Sequence, residues 1–242
     1  MQPFERLRAL ARWSGSDDDV ATEAAQALSG FDGDPAGLVV VCQRLLAHHP
    51  ATAPLWWVCA RVLCSPAAGE AAWEAWRMLR DDATATRLAA LLPFPHDDTV
   101  AVFGRCEVAR RALEERPDLA TQRIGPRDGL AGVPASHLLV EATALSPDAA
   151  RVPSGAPGVM RTFFDRGGSV WLIAPVGTVL PKRLYAAMDD AVAADLTAAA
   201  TTETATLTMV ERVAGPTGLD SVDRLGRRVD CPVAPELLRL RT

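Results

Sequence analysis

HLLVEATALSPDAARVPSGAPGVMRTFFDRGGSVWLIAP, residues 137–175, carries the clearest alternation of strand and helix signals in the chain. Two short apolar runs, LLVEA at 138–142 and VWLIA at 170–174, read as buried strands from their β-branched and aromatic content. Between them SGAPG at 154–158 makes a turn, and Val159, Met160, Phe163 and Phe164 follow at helical spacing. Strand, glycine-bearing turn, helix and strand in that order form the βαβ unit of a parallel sheet. Ligands usually bind outside the carboxyl ends of such strands. The turn at 154–158 and the residues after Val140 are therefore the first place to look for a site.

On the N-terminal side, TVAVFGR at 99–105 reads as another buried strand, ending at Gly104. Cys106 opens a helix carrying Val108, Ala109, Ala112 and Leu113. A strand, a short turn and a helix N-terminus make an anion site plausible on physical grounds, because free N–H groups and the helix dipole favour negative charge. One glycine is far short of a P-loop or dinucleotide fingerprint, and an ordinary β–α turn reads the same way. Leu119–Ile124 is a further strand candidate, followed by the loop GPRDG. Beyond 175, Pro181 starts a helix with Leu184, Tyr185 and Met188. Asp195–Thr206 is polar and rich in threonine and alanine, LTMVERVA at 207–214 is a strand candidate, and GPTG is a turn. The tail LGRRVDCPVAPELLRLRT is expected to pack back on the α/β domain.

Before about residue 95 the text is helical. Phe4, Leu7, Leu10, Ala11 and Trp13 mark a first amphipathic helix, and Val20–Leu28 a second. Asp34 and Pro35 start a third through Leu38, Cys42 and Leu45. The segment Leu55–Leu63 is apolar on nearly all sides apart from Arg61, as befits a central helix. A helix with Trp73, Trp76, Met78 and Leu79, and a short one ending near Leu92, complete a bundle of about five or six. FPHDD at 94–98 is the linker, which gives a helical domain over 1–95 and an α/β domain over 96–242. Trp56 and Trp57 read as core or interdomain packing. Arg61 either snorkels to solvent or faces an anionic ligand.

The bulk numbers exclude several classes. With 242 residues, 49% of them hydrophobic, the chain can bury a sizeable core. A formal charge of −5 disfavours nonspecific binding to nucleic acid or acidic membranes. No apolar run approaches the roughly 20 residues that span a bilayer, and the N-terminus lacks the apolar region of a secretory signal. Five scattered cysteines without a CxxC read as free thiols in a reducing compartment, which implies the cytoplasm. Neither they nor the four histidines have zinc-site spacing, so no metal and no cofactor is expected.

Several stretches together resemble a known superfamily: the regulatory alpha, beta and delta subunits of translation initiation factor 2B, with the ribose-1,5-bisphosphate and methylthioribose-1-phosphate isomerases. HPATAPLWWVCARVL at 49–63 is similar to its helical-domain segment that approaches the phosphosugar. TVAVFGRCEVARRAL at 99–113 resembles its first Rossmann strand, turn and helix, and HLLVEATAL at 137–145 the strand that ends in a Gly-Ala-Asp-like triplet. SGAPGVMRTFFDRGGSVWLIAP is similar to its Lys-Ile-Gly-Thr turn, helix and strand, and CPVAPELL at 231–238 to its late Thr-Pro-Pro-Glu-Leu-Ile stretch. The resemblance implies a helical N-terminal domain, a Rossmann-like parallel sheet and a homodimer formed through the latter.

The departures bear on activity. Thr143 stands near where the isomerases carry a catalytic aspartate. Val152, Pro153 and Ser154 replace the Asn-Lys before the glycine, and the catalytic-cysteine loop has no counterpart, so that role is not carried onto Cys106. The expected function is binding of a phosphorylated sugar or nucleoside monophosphate without efficient catalysis. Gly104, Arg105, Glu141 and Gly155, with Arg61, would form the site. Two alternatives stand beside it: an aldose–ketose isomerase using Glu141 with Cys106, and a non-catalytic structural or interaction protein.

Overall fold

The computed structural model describes Leu10 and residues 17–30, 34–128 and 133–239. The first expected helix, around Phe4–Trp13, lies outside the described residues apart from Leu10. The chain forms two compact units. One comprises residues 1–81, 176–199 and 229–242, the other residues 82–175 and 200–228.

The first unit is helical: α1 (Asp17–Leu28), α2 (Pro35–His48), α3 (Ala53–Leu63) and α4 (Ala68–Arg80). Asp34 caps α2 through a bond from the Ala36 N–H, and Pro35 sits at its first position, where no N–H is needed. Helix α3 is the core, with Leu55, Trp56, Trp57, Val58, Cys59 and Val62 fully buried. Its two indoles are satisfied as burial requires: Trp56 Nε1 donates to the Pro50 carbonyl (2.9 Å) and Trp57 Nε1 to Asp230 Oδ1 (3.1 Å). The tail expected on the α/β domain therefore serves the helices, and the Glu236 carbonyl likewise accepts from Gln43. Residues after 175 return to this unit too. Gly177 (φ 81°) packs on Pro54, where a Cβ would sit 2.9 Å from the Pro54 Cα, and a helix spans Lys182–Ala194, as the residues after Pro181 predict.

The second unit is the α/β unit. It begins with α5 (Thr84–Leu91) and continues β1 (Thr99–Phe103), α6 (Glu107–Glu114), β2 (Ala120–Ile124) and β3 (His137–Glu141). A hairpin of β4 (Ala144–Leu145) and β5 (Ala149–Pro153) precedes α7 (Ala156–Asp165) and β6 (Ser169–Ile173). Strands β7 (Thr202–Thr206), β8 (Arg212–Gly215) and β9 (Gly218–Asp220) close the unit. The main sheet runs β2-β1-β3-β6-β8-β9, parallel throughout except for the terminal β8–β9 hairpin at GPTG. This is the α/β, Rossmann-like sheet that the βαβ stretch predicts. Val100, Val102, Leu139, Trp171 and Ile173 cover one face and pack with α5 and α6. Helix α7 packs against β3 and β6.

Three stretches go beyond the sequence reading or differ from it. Residues 144–153 fold into the β4–β5 hairpin, because Ser146 Oγ accepts from the Asp148 and Ala149 N–H groups and closes a tight turn. The polar segment after Asp195 forms regular structure: Asp195 caps a short helix at Leu196–Thr201, and alternating threonines then make β7, which pairs antiparallel with β5. Of the strand expected over 207–214, only the end is strand, since Leu207–Met209 forms a 3₁₀ turn.

The segment leading into β1 is pinned by Arg116. Its guanidinium donates to the carbonyls of Leu92 (3.0 Å) and Phe94 (3.1 Å) and grips Asp118 with two bonds of 2.8 Å. Hydrogen bonding from Arg116 holds the Asp118 carboxyl down at about 2. A depressed carboxyl contributes stability that is present above its unfolded value and lost as pH falls through the folded one. Asp118→Asn should thus lower the urea midpoint at pH 5. Between about pH 4 and pH 2 the variant should lose less stability than the wild type; parallel acid dependence of the two midpoints would refute the pairing.

Candidate functional site

In an open α/β sheet, sites form where the strand order reverses, at the carboxyl edge. Here β1 has β2 on one side and β3 on the other, so the switch point lies between β1 and β3. Their register, Val102 beside Leu139, brings Gly104 level with Glu141. Gly104 takes the left-handed conformation (φ 65°), and its N–H is bonded to the Ile124 carbonyl at 2.8 Å. That bend releases the chain from β1 and leaves Arg105 exposed.

Cys106 is the N-cap of α6, where its sulfur accepts from the Ala109 N–H at 3.3 Å. The thiol is buried and lies against the Glu141 carboxylate. Burial pushes its pKa well up, and the charge and hydrogen bonding of Glu141 push it further. The sequence-nominated pair is thus in contact, and Cys106 is a proton-holding thiol rather than a thiolate nucleophile. Thr143 follows on the same connection. Its N–H donates to the Arg151 carbonyl (2.9 Å), while its buried Oγ1 has no hydrogen-bond partner among the described residues.

Gly155 is built into the same edge differently. It caps α7 with φ 84°, and a Cβ there would come within 2.6 Å of Pro126 Cβ, just after β2. Its N–H donates to Glu203 Oε1 at 3.2 Å, so that donor is already used. Gly104, through Ile124, and Gly155, through Pro126, both abut the loop after β2. Arg61 belongs to the helical unit. It stacks over Trp57 (4.8 Å), donates to the Asp230 carbonyl (3.3 Å) and pairs loosely with Glu74 and Asp230 (3.9 Å each). It is held by its own chain. Among the described residues, no cluster of three His, Cys, Asp or Glu side chains could hold a metal ion, and no helix is long and apolar enough to cross a membrane.

Sequence reasoning missed Arg151 and the free hydroxyl of Thr143. Arg151 is 7% exposed on β5, with Nε donating to Thr202 Oγ1 (3.1 Å). The signal was an arginine in the apolar alternation of AARVP, legible only once 149–153 is known to be a strand.

No family model matches the chain. No curated protein sequence matches it either. Solved structures do. The tetrameric eIF2B-beta2-delta2 complex from C. thermophilum superposes with a TM-score of 0.68 at 15% identity, over 93% of this chain and 92% of that one. The chain has that fold. The Pyrococcus horikoshii OT3 translation initiation factor eIF-2B gives 0.68 at 12% identity, over 90% and 96% of the two chains. The 5-methylthioribose 1-phosphate isomerase of the same organism gives 0.60 at 9% identity, over 94% and 87%.

The Cys106–Glu141 contact has a chemical consequence. Iodoacetamide should label the exposed Cys64 well before Cys106, and Glu141→Gln should speed labelling of Cys106 several-fold by removing the charge that opposes its thiolate. Peptide mapping over a time course measures both rates. Equal Cys106 rates in the two proteins would mean that the carboxylate does not act on the thiol.

Proposed function

We propose that the carboxyl edge at the β1–β3 switch point binds a phosphorylated sugar or a nucleoside monophosphate, without efficient turnover. The observation that carries this reading is the meeting of the Gly104–Cys106 turn with Glu141 at the reversal of strand order. In this reading the phosphate lies at the start of α6, where the first-turn N–H groups and the dipole favour an anion. Arg105 supplies a charge-assisted bond, Glu141 accepts from a sugar hydroxyl, and Thr143 Oγ1 is a further polar partner. Gly155 shapes the rim, its N–H being held by Glu203. Arg61 is left outside, because Asp230 and Glu74 already share its charge. A solved protein of this fold is named as a phosphosugar isomerase, which agrees with the ligand class.

Arg105→Ala should then weaken phosphosugar or nucleotide binding by about 1–3 kcal/mol, the range for a charged hydrogen bond. Thermal unfolding without ligand should stay nearly unchanged. Calorimetry against a panel of sugar phosphates and nucleoside monophosphates is the test. Absence of heat with every compound, or a variant that binds as well as the wild type, would remove the site and leave an interaction protein as the reading.

The same contact favours a second reading, aldose–ketose isomerisation. Moving a proton between adjacent carbons needs a base and an acid within hydrogen-bond reach. Glu141 would take the proton and the protonated Cys106 thiol would serve the neighbouring oxygen. Transfer of labelled hydrogen between C1 and C2 of a phosphosugar supports this reading, and loss of that transfer in Glu141→Gln assigns it. Self-association through the α/β unit completes the proposal. Sedimentation at micromolar concentration should give a mass of about twice the chain's 25.8 kDa; a purely monomeric boundary would refute it.

A further inference from the structure

The opposite, amino edge of the sheet carries a second polar constellation. Val100, His137 and Ser169 are neighbours in register across β1, β3 and β6, and Asp98 precedes Val100 by two residues on the same face. His137 Nδ1 lies 2.6 Å from Ser169 Oγ, and His137 Nε2 lies 3.1 Å from Asp98 Oδ2. Asp98 is oriented in turn by the Thr99 N–H, which donates to its Oδ1 at 2.8 Å. Phe94 stacks on the imidazole, with ring centroids 3.8 Å apart and 13° between planes.

These contacts settle the proton order of the neutral ring. A carboxylate accepts only, so Nε2 carries the hydrogen that it gives to Asp98. Nδ1 is then the acceptor, and the hydroxyl of Ser169 must donate to it. That is the arrangement of a general base on a serine, with a carboxylate fixing the tautomer. Asp98, His137 and Ser169 are all partly exposed, so the hydroxyl is not sealed in the core.

We propose that Asp98, His137 and Ser169 form a base-activated nucleophile at the amino edge, and that Ser169 takes an acyl group from small activated esters. Ser169 Oγ attacks the carbonyl carbon and its proton passes to His137 Nδ1. The bond to the leaving oxygen breaks, and that oxygen departs with the proton from His137. Seryl ester and free alcohol are the products, with no change in oxidation state. The turn before Ser169 offers no backbone donor to the oxyanion: the N–H groups of Gly167, Gly168 and Ser169 are bonded to the carbonyls of Phe164, Phe163 and Ser136. Since such a donor is worth about 10²–10³ in rate, acylation should proceed to a single equivalent and turn over slowly.

The test uses p-nitrophenyl acetate on the full chain. Wild type should release a burst of nitrophenolate stoichiometric with protein, and peptide mapping should place the acetyl group on Ser169. Ser169→Ala, which removes one hydroxyl and leaves the strand intact, should abolish the burst. Asp98→Asn should slow it by about tenfold or more, within the range that general-base catalysis supplies, with circular dichroism confirming the fold. Arg105→Ala should acylate like the wild type, which separates this site from the carboxyl edge. No burst in the wild type, an equal burst in Ser169→Ala, or acetyl found only on Cys64 or Lys182 would overturn the proposal.

Discussion

The parallel register of β1, β3 and β6 is the constraint on which the α/β unit depends. Val102, Leu139 and Trp171 stand side by side, and every side chain on that face falls into a row because the strand period is two. Parallel strands must be covered on both faces, so the middle of each row is apolar and only the ends are free to be polar. On β3 the row reads His137, Leu139, Glu141: a polar residue, a core residue, a polar residue. A shift of one residue in the pairing would break the alignment of these rows and separate the polar ends from their partners on β1 and β6.

The two ends of that row have opposite environments. At the carboxyl end Glu141 meets a thiol, which is kept protonated by burial and by the neighbouring charge. Donors and acceptors around it are only partly consumed: Gly104 N–H and Gly155 N–H are used, Thr143 Oγ1 is not. At the amino end His137 is fully engaged through both ring nitrogens and one ring face. The chain feeding that end is itself clamped, since Arg116 holds the Leu92 and Phe94 carbonyls and Asp118 bonds the Asp97 N–H. This clamped entry to β1 brings Phe94 to the face of the imidazole and Asp98 to its Nε2.

In the helical unit the corresponding constraint is the burial of α3. A helix buried on nearly all sides needs partners for its indole N–H groups, and for Trp57 the partner comes from a distance in sequence. Asp230 serves Trp57 and Arg61, although more than 150 residues separate them. Arg61, the one cation of that helix, is thereby accommodated by the tail and by Trp57 rather than by solvent alone.

Much of this was legible in the residues themselves. The βαβ unit at 137–175, the strand ending at Gly104, the cap at Cys106 and the helix after Pro181 follow from local periodicity and turn chemistry, which act over a few residues and survive in any tertiary context. Gly104 and Gly155 were readable as turn residues because positive φ is a local demand. The pairing of Cys106 with Glu141 could be nominated but not placed, and the Asp98–His137–Ser169 line could not be seen at all, since its members lie in separate segments that only strand register aligns. The hairpin at 144–153, the pairing of β7 with β5 and the seat of the tail on α3 were likewise decided by tertiary structure. Short polar strands and extended tails have too little apolar periodicity to announce themselves, and their partners are chosen by the hydrogen bonds and buried surface that the rest of the fold leaves open.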